Sequence, residues 1–172
     1  MLYFIDHLFY VAKILCIMYN NIMKDTKLKI YLDNCCYNRP FDEVRNTEVD
    51  MEIIAKLAIQ LMVQQGKLDL VWSYVLTYEN SLNPKIINKE NIILWKDIAC
   101  ENIIENKDIL SKAEEYQKNG LKSLDSLHVA CAVYAKCDVF ITTDKGILKK
   151  KIDDIKVLNP IDFMREVINN DD

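Results

Sequence analysis

A single α/β domain is the fold class this sequence predicts: a central, mainly parallel sheet flanked by helices, with an extra segment at the N-terminus. Two observations predict it. Short apolar, β-branched runs alternate with stretches of helical periodicity, and such alternation implies right-handed crossovers and a parallel sheet covered on both faces. The chain has 172 residues, 51% of them hydrophobic, with only three glycines and three prolines. That length supports one real core and would cramp two. So few breakers leave little room for long linkers, and no internal repeat or low-complexity tract is present.

The elements follow in order. Residues 1–27 form an N-terminal extension. Its apolar run "LYFIDHLFYVAKILCIMY" carries Asp6, His7 and Lys13. A span wants about 20 clean residues, and a mid-helix Asp or Lys costs about 3 kcal/mol, so no stable membrane span is expected. The run also lacks the basic start and cleavage site of a signal peptide. It reads as an added amphipathic helix or as a start called too early, with Met23 the true beginning; the second reading is preferred. A weak membrane-surface helix stays open.

"LKIYL" at 28–32 is β-branched, apolar and short, which predicts a buried strand ending at Asp33. "TEVDMEIIAKLAIQLMVQQG" then repeats Ile53, Ile54, Leu57, Ala58, Leu61 and Met62 at helical spacing. Thr47 with Asp50 resembles a capping box, and Gly66 marks the stop. "LDLVWSYVL" at 68–76 predicts a second strand. Helical patterns follow from Pro84 to Cys100 and from Ile109 to Asn119, with Gly120 as the break. "SLDSLHVACAVYAKC" puts Leu124, Leu127, Cys131 and Tyr134 on one stripe, with Ser123 as candidate N-cap. "DVFITTD" at 138–144 predicts a third strand and "IKVLNP" at 155–160 a short fourth. The domain so defined spans 28–166, and 167–172 is a polar tail.

In parallel sheets, functional groups collect beyond the carboxyl ends of the strands. Four acids fall there. Asp33 closes the first strand, Glu79 lies just past the second, Asp125 sits in the first turn of its helix, and Asp144 closes the third strand. Acids are common singly at helix starts. Four on successive elements ask for a shared cause. Two like charges at about 4 Å repel by about 4 kcal/mol at an effective dielectric of about 20. Such a group persists when a divalent cation neutralises it or when some members hold protons. Oxygen ligands select Mg²⁺ or Mn²⁺, which keep waters and take up phosphate oxygens. One such water can attack a phosphodiester. Formal net charge is −4, so the chain would not hold a nucleic acid by charge alone. Bridging cations reconcile an acidic protein with a polyanionic substrate.

These pieces resemble the PIN-domain family, the ribonuclease fold that includes the toxins of VapBC-type toxin–antitoxin pairs. The matching segments are "KIYLDNCCYNRPFD", "SYVLTYEN", "LKSLDSLHVACAVYAKCDVFITTDKGILKK" and "IKVLNP", covering most of 28–163. The third is the most specific: an acid opening an Ala-rich helix, then a strand ending in TTD. The resemblance implies a single PIN-like domain and a Mg²⁺- or Mn²⁺-dependent endoribonuclease with RNA as substrate. It carries the catalytic and metal-holding roles onto Asp33, Glu79, Asp125 and Asp144. It also implies an antitoxin partner and a homodimer. Thr142 fills the family's hydroxyl or amide position two residues before the last Asp, and on a strand it would point to the same side as Asp144. Cys35 stands where the family has Ser, Thr or Asn two residues after its first Asp. Asn34 is the neighbour expected to support the site instead.

The six cysteines, at 16, 35, 36, 100, 131 and 137, match no zinc pattern and no CxxC pair. Adjacent cysteines rarely bond to each other, and Cys131 on an apolar stripe behaves as a small hydrophobe. Free buried thiols fit a reducing cytosol, so a cytoplasmic protein is expected. His128, three residues after Asp125, reads as a structurally hydrogen-bonded histidine, with proton shuttling as the alternative. Arg39 and Lys145 are candidate substrate contacts, and Lys149, Lys150 and Lys151 either form a basic lip or a solvated face. Trp72 and Trp95 read as core. Two rivals to the nuclease remain: a non-catalytic PIN-like module binding RNA or protein at the same rim, and, more weakly, a small-molecule phosphohydrolase.

Overall fold

The computed structural model describes residues 10–14, 27–37 and 47–169. Most of the N-terminal extension, Cys16, Arg39 and residues 170–172 lie outside them. The elements are β1 (Lys29–Leu32), a 3-10 turn (Asn34–Cys36), α1 (Thr47–Gln64), β2 (Asp69–Ser73), α2 (Tyr74–Ser81), α3 (Ile86–Ile93), α4 (Trp95–Ile98), β3 (Glu101–Ile103), α5 (Lys107–Lys118), α6 (Ser123–Tyr134), β4 (Val139–Ile141), α7 (Lys145–Leu148), β5 (Lys156–Leu158) and α8 (Pro160–Asn169). The five strands pair in parallel in the order β3-β2-β1-β4-β5. This is the α/β sheet with flanking helices that the alternation predicts.

Side chains alternate across a strand. Yet Ile30, Tyr31 and Leu32 of β1 and all of β4 are buried, so both faces are covered. Helix α1 packs on α8, and α5 on α6, with α6 also touching α2, β2 and β4. Tyr31 stacks on Phe140 at 5.4 Å between ring centroids. Trp72 is buried and donates its Nε1–H to Thr77 Oγ1 at 2.8 Å. Trp95 packs against the same core, and Tyr37 lies between the two tryptophans. Ala12, in the helical turn at 10–14, is buried in this core.

Several boundaries differ from the sequence expectation, each for a local reason. The second strand stops at Ser73, whose hydroxyl accepts the Leu76 N–H at 3.2 Å and so caps α2. Glu79 therefore sits on a helix. The stretch from Pro84 to Cys100 divides into α3 and α4. Strand β3 was not expected. It is three residues at a sheet edge with one buried side chain, Ile103, too short to show a period. Ser123 is the first residue of α6, with Lys122 at the cap and no side-chain cap bond. Helix α8 continues past 166, the expected domain end, to Asn169. Gly66 ends α1 with φ +68, a left-handed conformation that glycine adopts without steric cost.

Asn106 caps α5, accepting from the Asp108 and Ile109 N–H groups, both at 3.0 Å. Asn106→Ala is expected to cost about 1 kcal/mol, read as a lower denaturation midpoint with an unchanged slope.

Candidate metal centre

The chain passes from β1 outward through β2 to β3, then crosses to β4 on the other side of β1. The sheet order thus reverses between β1 and β4, and open α/β sheets place their ligand crevice beyond the carboxyl ends at such a point. Asp33 and Thr142–Asp144 leave the sheet there. The Asp33 N–H donates to Ile141 O at 2.9 Å, holding the two exits together.

Asp33 is buried, and both its oxygens are engaged. Oδ1 accepts the Asn34 N–H at 2.7 Å. Oδ2 accepts the Thr142 hydroxyl at 2.5 Å and the Cys35 thiol at 3.2 Å. Thr142 Oγ1 in turn accepts the Asp144 N–H at 2.9 Å. One hydroxyl thus ties the two acids' segments together. It does so through a helix cap and not through strand alternation, because β4 ends at Ile141. Asp144 is the N-cap of α7, accepting from Gly146 N at 2.5 Å and Ile147 N at 3.3 Å.

Cys35 occupies the supporting position that a hydroxyl or amide would fill. Its sulfur reaches Asp33 and also accepts the Thr143 N–H at 3.3 Å. A hydrogen bond from Cys36 lowers the Cys35 thiol pKa, against burial and the Asp33 charge, and the Thr143 bonds lower it further. The hydrogen bond to Cys35, followed by burial, pushes the Cys36 thiol well up. Because the thiol already makes the expected contact, Cys35→Ser is expected to change stability by no more than about 1 kcal/mol, the worth of one ordinary hydrogen bond, read by a thermal melt.

Glu79 projects from α2, and its Oε2 lies 2.9 Å from His128 Nε2. Burial favours the neutral Glu79 carboxyl, but the hydrogen bond and electrostatic attraction to His128, with a hydrogen bond from Asn34, outweigh it and hold the pKa below the usual value. A carboxylate oxygen of Asp33, one of Glu79 and a ring nitrogen of His128 lie within 4.8 Å of one another. His128 itself is buried and bonded at both nitrogens, the second to Tyr31 OH at 2.8 Å. That fits the structural reading of this residue, and its place in the trio was not foreseen.

Asp125 and Asp144 stand outside that trio. Asp125, in the first turn of α6, still senses the other acids. Burial, then the Asp144 charge and the Asp33 charge, push its pKa above the ordinary aspartate value, against Lys122 and His128. A raised folded-state pKa means a stability contribution present below the unfolded value and lost as pH rises through the folded one. Asp125→Asn is therefore expected to raise the melting temperature of the chelator-treated protein at neutral pH, with the gain vanishing in acid. Glu79, shifted the other way, contributes stability that is lost as pH falls.

Lys145 is exposed directly after Asp144, and Lys149, Lys150 and Lys151 are exposed beyond it. Lys151 pairs with Asp153 at 3.1 Å. Tyr31 and Ser73 escaped the sequence reading. A tyrosine in an apolar strand, two residues before the key acid and so on its face, was the available signal.

No protein-family model matches this chain, and no curated protein matches it. Among solved structures it is similar to VapBC2 from Rickettsia felis bound to a DNA fragment from their promoter. Identity is 12%, the match covers 77% of this chain and 98% of that one, and the TM-score is 0.49. Among the described residues, no helix is long and apolar enough to cross a membrane.

Proposed function

We propose that this protein is a divalent-metal-dependent endoribonuclease that hydrolyses RNA phosphodiesters, of the PIN-domain toxin type. The observation that carries the reading is the approach of Asp33 and Glu79 carboxylate oxygens within 4.8 Å of each other, with Asp125 sensing the Asp144 and Asp33 charges. The donors fit a hard cation. Carboxylate oxygens of Asp33 and Glu79 lie within one ion's reach, and the upward push on Asp125 by its acidic neighbours is the repulsion a cation would relieve. Mg²⁺ or Mn²⁺, when bound, supplies Lewis-acid polarisation of the phosphodiester and the attacking water.

The chain's own groups do the rest. Thr142 and Asn34 fix the Asp33 oxygens, and His128 fixes Glu79. Asp144 caps α7, and Lys145, exposed directly after it, is the contact proposed for a backbone phosphate. Arg39 belongs to this proposal as a phosphate clamp. An antitoxin that covers the rim, a homodimer and a cytoplasmic location complete it.

The rival is the non-catalytic module, and Cys35 in place of a hydroxyl is what favours it. Mn²⁺ decides between them by two measurements. A cation that binds only the native state stabilises it by about 2.7 kcal/mol at about 100 times its Kd. The nuclease reading expects that thermal shift together with RNA cleavage. A shift without cleavage leaves the module, and neither effect leaves no metal centre at all.

A further inference from the structure

We propose that His128 is a positioning residue: a buried Ser73–Tyr31 hydrogen-bond chain holds it in the Nε2–H form, and it presents the Glu79 carboxylate to Asp33 without itself ligating the cation. Its catalytic consequence rests on the nuclease reading. Its structural content does not.

The chain runs from the sheet core to the rim. Tyr31 lies in β1, Ser73 ends the neighbouring strand β2, and His128 comes from α6. All three are buried. Tyr31 OH is 2.6 Å from Ser73 Oγ and 2.8 Å from His128 Nδ1. His128 Nε2 is 2.9 Å from Glu79 Oε2.

The direction of the protons follows from the two ends. The Leu76 N–H donates to Ser73 Oγ and takes one of its two lone pairs, and the Tyr31 oxygen at 2.6 Å is the strong acceptor open to the Ser73 proton. A phenol is protonated at neutral pH, so Tyr31 has a proton to give. It accepts from Ser73 and donates to Nδ1. That leaves the imidazole proton on Nε2, 2.9 Å from Glu79 Oε2, a carboxylate oxygen that accepts it. Run the other way, the chain would send the Ser73 proton to the Cys131 sulfur, a weak acceptor.

Both imidazole nitrogens are therefore spoken for. Ligation through Nε2 would require loss of its proton and of the Glu79 bond. Tyr31 cannot swing aside, because it is stacked on Phe140 and edge-on to His128, with centroids 5.9 Å apart. Glu79 is thereby referenced to the sheet itself. Groups that orient ligands in this way typically change metal affinity about 10–100-fold when removed.

The test is nitrogen-15 spectroscopy of the imidazoles in the full chain, which contains two histidines; His128→Gln assigns the signals. In the metal-free protein His128 should show one protonated nitrogen, Nε2, and one bare nitrogen, Nδ1. Saturating Mg²⁺ should leave the Nε2 proton in place. Tyr31→Phe keeps the ring and removes the hydroxyl. It should move both nitrogens toward the tautomer average, weaken Mg²⁺ binding about tenfold, and lower kcat with KM for RNA unchanged. A thermal melt checks that this variant is folded, and if it is not, Ser73→Ala replaces it. An Nδ1–H tautomer or a doubly protonated imidazolium in the wild type, loss of the Nε2 proton on adding Mg²⁺, or a tautomer insensitive to both substitutions overturns the proposal. A wild type that binds no Mg²⁺ and cuts no RNA sinks the nuclease reading alone, since the tautomer is read without metal.

Discussion

On the nuclease reading, Asp33→Asn is expected to lower Mn²⁺-dependent RNA cleavage about a thousandfold while leaving the metal-free protein folded. Asparagine has the shape of aspartate and retains one carbonyl oxygen for the Thr142 hydroxyl, but its NH₂ then faces the Asn34 N–H, a lost bond that costs about 1 kcal/mol. What disappears is a unit charge at the point where the strand exits meet. Lewis-acid catalysis contributes several kcal/mol, and about 4 kcal/mol corresponds to about a thousandfold in rate. The loss of the Asn34 bond is partly offset at Asp125, whose pKa is raised by burial first, then by the Asp144 charge and the Asp33 charge. With that charge gone, Asp125 ionises at less cost. The measurements are single-turnover cleavage of a mixed RNA substrate and a thermal melt in chelator. Cleavage at the wild-type rate would remove the four-acid rim as the site of chemistry.

Phe140→Ala carries the largest expected effect on stability. Phe140 is fully buried in β4, between β1 and β5. Truncating a buried phenylalanine costs about 3–5 kcal/mol, by lost transfer energy plus the cavity left behind. Domains of this kind are stable by only about 5–15 kcal/mol, so a large fraction is lost. For a chain of this length the melting temperature should fall by about 10 °C. Phe140→Leu, which keeps most of the volume, should lose much less. A further consequence separates this residue from its neighbours. Phe140 is the ring on which Tyr31 rests, so the alanine variant should also loosen the Tyr31–His128 contact, weakening Mn²⁺ binding at temperatures where the protein is still folded. A variant that melts as the wild type does would mean the sheet core is not where Phe140 places it.

The fold was legible where the pattern is long or the punctuation strong. Helix α1 shows through its apolar repeat up to Gly66, and β1 through an apolar run that stops at a charge. It was illegible where a single residue switches the backbone. Nothing in "LDLVWSYVL" distinguishes a long strand from a short one followed by a helix until Ser73 is seen taking the Leu76 N–H. Strand β3 has too few residues for any period, and its existence depends on pairing with β2, a tertiary fact. Of the site, the acids could be nominated because each stands at an element's end. Their relation to one another was not readable. Thr142 was expected to support Asp144 by strand alternation. It does so instead through the Asp144 N–H while donating to Asp33. The histidine's partners were hidden for a different reason: Tyr31 and Ser73 look like ordinary core and cap residues, and only the alignment of β1, β2 and α6 makes them a chain.

The placement of β1 between β2 and β4 bears on how the polypeptide is made. During synthesis β1 and β2 emerge early and can pair at once, but the other edge of β1 has no partner until Val139–Ile141 has been translated. Through that interval the apolar Ile30–Leu32 edge is open to strand addition from a neighbouring nascent chain. Asp33 meanwhile lacks the Ile141 carbonyl and the Thr142 hydroxyl that hold it. A polypeptide interrupted before residue 139 would therefore lack the contacts that hold Asp33 and be prone to self-association. Ribosome-bound chains halted on either side of that point should differ sharply in solubility after release.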